Sequence, residues 1–243
     1  MYGWRKRIGL LLPSSNTTME PELNLMLPKG FSLHTSRVLQ AIESEEELIK
    51  MADYARRAAE EVATAEVDLI LYGCTSGSFL KGEEFNINLS KDLSEFTGIK
   101  VITTSSALKL ALEALAVHRV CLVTPYPKET NERGCKWLES LGFQVVKIIE
   151  LIESSYAKPV ENLEIGRLFP EFVYAKIKDH HPIDMDAMVI SCTNLRTIEI
   201  IDILEEDFRV PVVTSNQASS WAAMRGVGYS SPITGFGQLL VRY

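Results

Sequence analysis

The amino-acid sequence predicts an α/β fold of two pseudo-symmetric lobes, each carrying a four-stranded parallel sheet. Three observations predict it. Apolar runs rich in Val, Ile and Leu alternate with stretches of helical spacing, the pattern of strands covered on both faces by crossover helices. The set of four strands occurs twice, its third strand beginning at residue 67 in the first half and near 186 in the second. Matching strands also end alike: the first of each half in proline (LLPSSNTT, VTPYPKET) and the third of each half in Cys-Thr (YGCTSGS, ISCTNLR).

Strands are expected at 7–13 (RIGLLLP), 31–38 (FSLHTSRV), 67–73 (VDLILYG) and 100–105 (KVITTS). The second half repeats them at 119–125 (RVCLVTP), 144–151 (QVVKIIEL), 186–192 (DAMVISC) and 210–215 (VPVVTS). The clearest helix starts at Ser44, with Glu47 three residues later as a capping-box partner, and runs through the strong helix formers of LIKMADYARRAAEEVATAE. Further helices are expected at 105–117, 128–141, 161–179, 197–207 and 216–226, with Gly142 stopping one of them before Phe143. The last helix can return to the first half, so residues 1–117 plus 216–243 form the expected N-terminal lobe and 118–215 the C-terminal lobe. The polar stretch EEFNIN (83–88), just after the third strand, is a candidate lid over the cleft.

Composition narrows the class. The 243 residues are 46% apolar and 23% charged, as in a soluble globular protein with a substantial core. A net charge of −7 with no basic run argues against nucleic acid or an anionic membrane as partner. The apolar run Ile8 to Leu12 is too short for a signal peptide or a membrane span and is broken by Pro13, so a cytoplasmic protein is expected. Cys74, Cys121, Cys135 and Cys192 form no C-x-x-C pair and no zinc-like cluster, so free thiols and no metal are expected. Cys121 and Cys135 lack the neutral polar cluster that follows Cys74 and Cys192 and read as packing; His180-His181, just before Pro182, reads as a loop or helix end.

In open parallel sheets, ligands bind beyond the carboxyl ends of the strands, where the following helices present N–H groups to anions. Two facing lobes would bring Cys74 and Cys192 across one cleft. One sulfur can then act as base or nucleophile while the other holds a proton for the opposite face, provided helix N-termini and nearby donors lower the thiol pKa. The neutral donors Asn16, Thr75, Ser76, Tyr126 and Thr193 suit a carboxylate or an oxyanion, with Thr75, Ser76 and Gly77 forming a turn at a helix start. The competing reading is structural: cysteine is often buried, and Ser or Thr after a strand often caps a helix.

The motifs PSSNTTMEPE, YGCTSGSF, TPYPKETNERG and SCTNLRT, in that order, resemble the maleate cis-trans isomerase family of the aspartate/glutamate racemase superfamily, to which arylmalonate decarboxylase is related. The likeness spans essentially the whole chain, including KGEEFN (81–86) and PVVTSNQASSW (211–221). It implies two Rossmann-like lobes with the active site between them, no cofactor, a small dicarboxylate substrate, and a homodimer or higher homo-oligomer. It implies that Cys74 attacks an alkene carbon to give a succinyl-cysteine and that Cys192 supplies and removes the proton. Asn16 and Tyr126 match residues that bind substrate carboxylate, and Asn162, in PVENLEIG, resembles a further substrate contact. Arg196 is the nearest cation in these motifs and is read as facing solvent. A two-cysteine racemase of aspartate, glutamate or a hydantoin would use the same cysteine pair. Arylmalonate decarboxylase resembles the chain but carries glycine where Cys74 stands, and a non-catalytic carboxylate-binding protein would have no use for two facing thiols.

Overall fold

The computed structural model describes residues 1–152 and 161–243; Pro159 and Val160 of the PVENLEIG motif lie outside the described residues. The first sheet contains β1 (Lys6–Pro13), β2 (Phe31–Val38), β3 (Leu69–Tyr72) and β4 (Val101–Thr103), in the order β2-β1-β3-β4. The second contains β5 (Arg119–Thr124), β6 (Gln144–Glu150), β7 (Ala187–Ile190) and β8 (Val212–Thr214), in the order β6-β5-β7-β8. All the pairings are parallel, and the two orders are the same. Each sheet therefore has one topological switch point, between β1 and β3 and between β5 and β7, where chain crossovers leave in opposite directions and open a crevice.

The helices of the first half are α1 (Met19–Met26), α2 (Glu45–Ala63), α3 (Thr75–Phe79), α4 (Glu83–Thr97) and α5 (Thr104–Ala114). The second half carries α6 (Lys128–Ser140), α7 (Asn162–Gly166), α8 (Pro170–His180), a 3-10 turn at Ile198–Ile200, α9 (Ile201–Phe208), α10 (Ser215–Gly226) and α11 (Gln238–Arg242). Ser44 is the N-cap of α2, its hydroxyl accepting the Glu47 N–H at 3.4 Å.

Four expectations are corrected. The strands expected at 100–105 and 210–215 stop at Thr103 and Thr214, because each threonine hydroxyl caps the next helix: Thr103 accepts from Ser106 N–H at 3.0 Å and Thr214 from Gln217 N–H at 3.1 Å. The helix expected over 161–179 is two helices. Pro170 starts α8, and the residue before it, Phe169, is held extended (φ −76°, ψ 144°) by the proline ring. Helices α1, α3, α4 and α11 lie outside the expected set. The candidate lid EEFNIN is the first part of α4, with Asn86 buried and Glu83 accepting hydrogen bonds from Trp137 Nε1 (2.9 Å) on α6 and Lys109 Nζ (3.1 Å) on α5. KGEEFN is thus a strut between the halves.

One apolar core runs from β1, β3 and α5 through α10 into all four strands of the second sheet, while a second cluster packs α2 on the other face of the first sheet. Fully buried Leu10, Leu108 and Leu112 each stabilise this core by about 2 kcal/mol. Helix α10 is buried from Ser215 to Met224 and packs against α1 and α5. Buried Glu22 on α1 adds a polar tie: its carboxyl accepts Thr197 N–H at 2.8 Å and Asn216 Nδ2 at 2.7 Å. Cys121 is buried on β5 and Cys135 half-buried on α6, both against the apolar core. His180 ends α8 and His181 caps it in the left-handed region (φ 41°). Among the described residues, no helix is long and apolar enough to cross a membrane, and no His, Cys, Asp and Glu group is placed to hold a metal ion.

Candidate active site

The first switch point carries Asn16 on one side and Cys74 on the other, and the second carries Tyr126 and Cys192. After β3, Gly73 N–H still bonds to Leu11 on β1 (2.8 Å), and the chain then turns directly into α3 with Cys74 as its N-cap. The thiol takes the place of a capping hydroxyl: Sγ accepts the Gly77 N–H at 3.4 Å. After β7 the same turn recurs more loosely, and Cys192 Sγ accepts the Asn194 N–H at 3.4 Å. Cys74 is 4% and Cys192 6% exposed. Cys74 feels the charge of Cys192, and the Tyr126 hydroxyl donates to Cys192 while sensing Cys74. The structure therefore joins Cys74, Cys192, Ser76 and Tyr126 in one buried cluster.

The remaining sequence-chosen residues form the seam of this cluster. Asn16 Oδ1 accepts the N–H groups of Thr18 (2.9 Å) and Met19 (3.0 Å), and its Nδ2 donates to Thr193 Oγ1 (3.1 Å) in the other half. Thr193 in turn donates to the carbonyl of Gly73, beside Cys74, at 3.2 Å. Asn162 Nδ2 donates to Ser15 Oγ at 2.9 Å, and Asn194 Nδ2 donates to the Asn162 carbonyl at 2.6 Å. The Thr75 hydroxyl lies against Ser215 Oγ of α10 at 2.9 Å. Arg196 is exposed and paired with Glu199 at 2.6 Å, outside the cluster, as the sequence predicts.

The expectation that helix ends would lower the thiol pKa is overturned. Burial pushes Cys74 up to about 12, the Glu43 carboxylate adds to the rise, and the Gly77 N–H and Ser76 hydroxyl only partly offset it. Burial pushes Cys192 up to about 12 as well, again with Glu43 contributing. Desolvation outweighs two or three hydrogen bonds when no cation is at hand. The resting cluster holds thiols, not thiolates.

Three residues of the cluster escaped the sequence reading. Glu43, between β2 and α2, is 6% exposed; burial raises its carboxyl to about 7 against the pull of a hydrogen bond with Ser76. Its Oε1 has no hydrogen-bond partner among the described residues. In AIESEEE it is one acid among several, with no local signal that it turns inward. Tyr72 is fully buried below Cys74, its hydroxyl without a hydrogen-bond partner among the described residues. Asn131 shapes the turn that presents Tyr126, pairing with Thr124 Oγ1 and donating to the Tyr126 carbonyl at 3.0 Å; the NER of TPYPKETNERG was its signal.

The arylmalonate decarboxylase family profile matches residues 8–240. The chain is similar to maleate isomerase of Nocardia farcinica, 30% identical over 245 residues and covering 97% of this chain and 95% of that protein. It is similar to arylmalonate decarboxylase of Bordetella bronchiseptica, 30% identical over 203 residues, 78% of this chain and 76% of that protein. Among solved structures, Nocardia farcinica maleate cis-trans isomerase bound to TRIS superposes with a TM-score of 0.89 at 28% identity, covering 97% of each chain. A Cys→Ser mutant of that enzyme, with a covalently bound succinylcysteine intermediate, superposes with a TM-score of 0.89 at 28% identity, covering 98% of this chain and 99% of that one.

Proposed function

The chain belongs to the arylmalonate decarboxylase family, and from that premise we propose that it catalyses the cofactor-independent cis-trans isomerisation of maleate, or a close cis-butenedioate, to fumarate. The observation that carries this reading is the pair of buried thiols, Cys74 and Cys192, at equivalent strand ends, with the charge of Cys192 felt at Cys74. A double bond rotates only after it becomes single, and a thiol adds readily to an alkene flanked by carboxylates. Cys74 gives up its S–H proton to a group in the cleft as its Sγ forms a bond to one alkene carbon, the π electrons move to the neighbouring carbon, and the Cys192 S–H proton is delivered there; Cys74 regains its proton when the C–S bond later breaks. The succinyl thioether rotates about its central single bond. Cys192 then removes the proton, the double bond re-forms trans, the C–S bond breaks and fumarate leaves.

Tyr126, with its hydroxyl on Cys192, is assigned to one substrate carboxylate. Asn16, positioned by Thr193, is assigned to the other through its second amide hydrogen; Asn162, whose Nδ2 donates to Ser15 Oγ and, at 3.3 Å, to Gln40 Oε1, is assigned there by exchanging the longer of those bonds for the substrate. The Thr75 hydroxyl is engaged by Ser215, so its contribution is the backbone N–H, and Ser76 lies between both acidic partners of the cleft. A decarboxylase of the arylmalonate type needs one thiol only, which disfavours that activity here. From the short apolar run at the N-terminus we also infer a cytoplasmic protein, and from the resemblance a homodimer or higher homo-oligomer.

The test is direct. The protein incubated with maleate should form fumarate, followed by proton NMR, and Cys74→Ser should lose at least about 10³-fold in turnover, since a serine hydroxyl is a poor nucleophile at neutral pH. Cys192→Ser should accumulate a succinyl adduct on Cys74, seen by intact mass. Absence of fumarate, with deuterium entering the α-carbon of aspartate or glutamate instead, would replace this reading with racemisation.

A further inference from the structure

Cys74 is to act as a nucleophile, yet its sulfur is buried with no cation beside it. The groups acting on the two thiols, Tyr126 and Glu43 include no Lys, Arg or His among the described residues. Next along the chain, Glu45 is paired outward with Arg133 and Glu47 with Lys50. The proton of Cys74 must therefore go to a group inside the cleft. Cys74 Sγ lies 3.8 Å from Ser76 Oγ. The Ser76 hydroxyl pulls the Glu43 carboxyl pKa down from beside it, and Glu43 Oε1, buried, has no hydrogen-bond partner among the described residues.

We propose that Glu43 is the terminal proton acceptor for Cys74: as Sγ bonds to the alkene carbon, the S–H proton passes to the Ser76 hydroxyl and Ser76 passes its own proton to the Glu43 carboxylate. The S–H bond breaks, the C–S bond forms, and one O–H bond forms on Glu43; elimination runs the chain backwards. This rests on the reading of Cys74 as the nucleophile. Its physical basis is charge conservation in a low-dielectric pocket. Ionised Glu43 and a Cys74 thiolate repel each other, so the pocket tolerates one negative charge between them. The relay moves that charge from carboxylate to sulfur without adding a second. The carboxyl, raised by burial to about 7, is divided between its two forms near neutral pH, where a general base works best. Glu43 does not touch the reacting carbons and is a positioning residue acting through Ser76.

The experiment measures alkylation of Cys74 by iodoacetamide against pH, read by peptide mass spectrometry, in the full chain and its Glu43→Gln, Glu43→Asp and Ser76→Ala variants. In the wild type the rate should rise about tenfold per pH unit below about 7 and then level off, as Glu43 ionises. Glu43→Gln and Ser76→Ala should be at least about tenfold slower at pH 7.5 and lack the plateau, and Glu43→Asp should recover part of the rate. The same acid limb should appear in kcat for maleate and vanish in Glu43→Gln, with KM changing less than kcat. If Glu43 merely repels the thiolate, Glu43→Gln will alkylate faster than wild type, and that result overturns the relay, as does an unchanged pH profile. Fumarate formation with no such profile defeats the relay alone; the profile without fumarate leaves the relay standing and defeats the maleate reading.

Discussion

At Tyr72, two residues before Cys74, a phenol hydroxyl is buried without a hydrogen-bond partner among the described residues. A buried hydroxyl that has lost water and gained nothing is a liability, so Tyr72→Phe should raise stability by about 1 kcal/mol, measured as a higher denaturant midpoint at unchanged slope. A fall in stability would mean that the hydroxyl is bonded after all. The residue scale also shows where sequence reading succeeds. Cys74 and Cys192 are legible because each follows an apolar run and because the duplication supplies a second copy for comparison. Glu43 is not. Nothing in AIESEEE distinguishes the acid that faces two thiols from the acids that face solvent; only the path of the chain from β2 into α2 sets which one turns inward.

Among the elements, α3 is the most constrained. Five residues long, it exists because the chain must turn from β3 without a loop, and its cap is the proposed nucleophile itself. Gly77 makes that possible: a Cβ there would lie 2.9 Å from Cys74 Sγ and 3.3 Å from the Tyr72 hydroxyl. Alanine is the better helix former by about 1 kcal/mol, so the stability change in Gly77→Ala should be small. Displacing Sγ by a fraction of an ångström should nevertheless lower kcat about 10- to 100-fold, because attack depends steeply on geometry. Equal kcat in wild type and variant would show that Sγ is free to shift. The strands and most of the longer helices are legible from apolar spacing and caps. Helices α1, α3 and α11 are too short to show a period, and α4, though 15 residues long, buries polar Asn86 in line with Leu89 and Leu93, which masks its apolar stripe.

Across the whole molecule, the halves are joined by α10, by Glu83 on Trp137 and by Glu22 on Thr197 and Asn216. Burial raises Glu22 from 4.5 to about 7, against the pull of its hydrogen bonds. A carboxyl whose folded pKa is raised gives stability that is fully present below about 4.5 and lost as pH climbs through about 7. For Glu22 this amounts to roughly 3 kcal/mol. In Glu22→Gln an amide N–H would face the Asn216 amide donor, so the variant should be less stable at pH 5 by about 1–3 kcal/mol, with the gap closing by pH 8. Urea titrations at the two pH values check this; a gap that widens with pH would contradict it. By itself the sequence determined the duplicated parallel-sheet plan and placed two cysteines at equivalent strand ends, where the candidate site lies, because local spacing and internal repetition record them. Only the tertiary structure decided that the thiols rest protonated, that EEFNIN is a strut, and that Glu43 and Ser76 stand behind Cys74. Desolvation and long-range contact depend on what the folded chain brings near, and no local stretch of sequence encodes that.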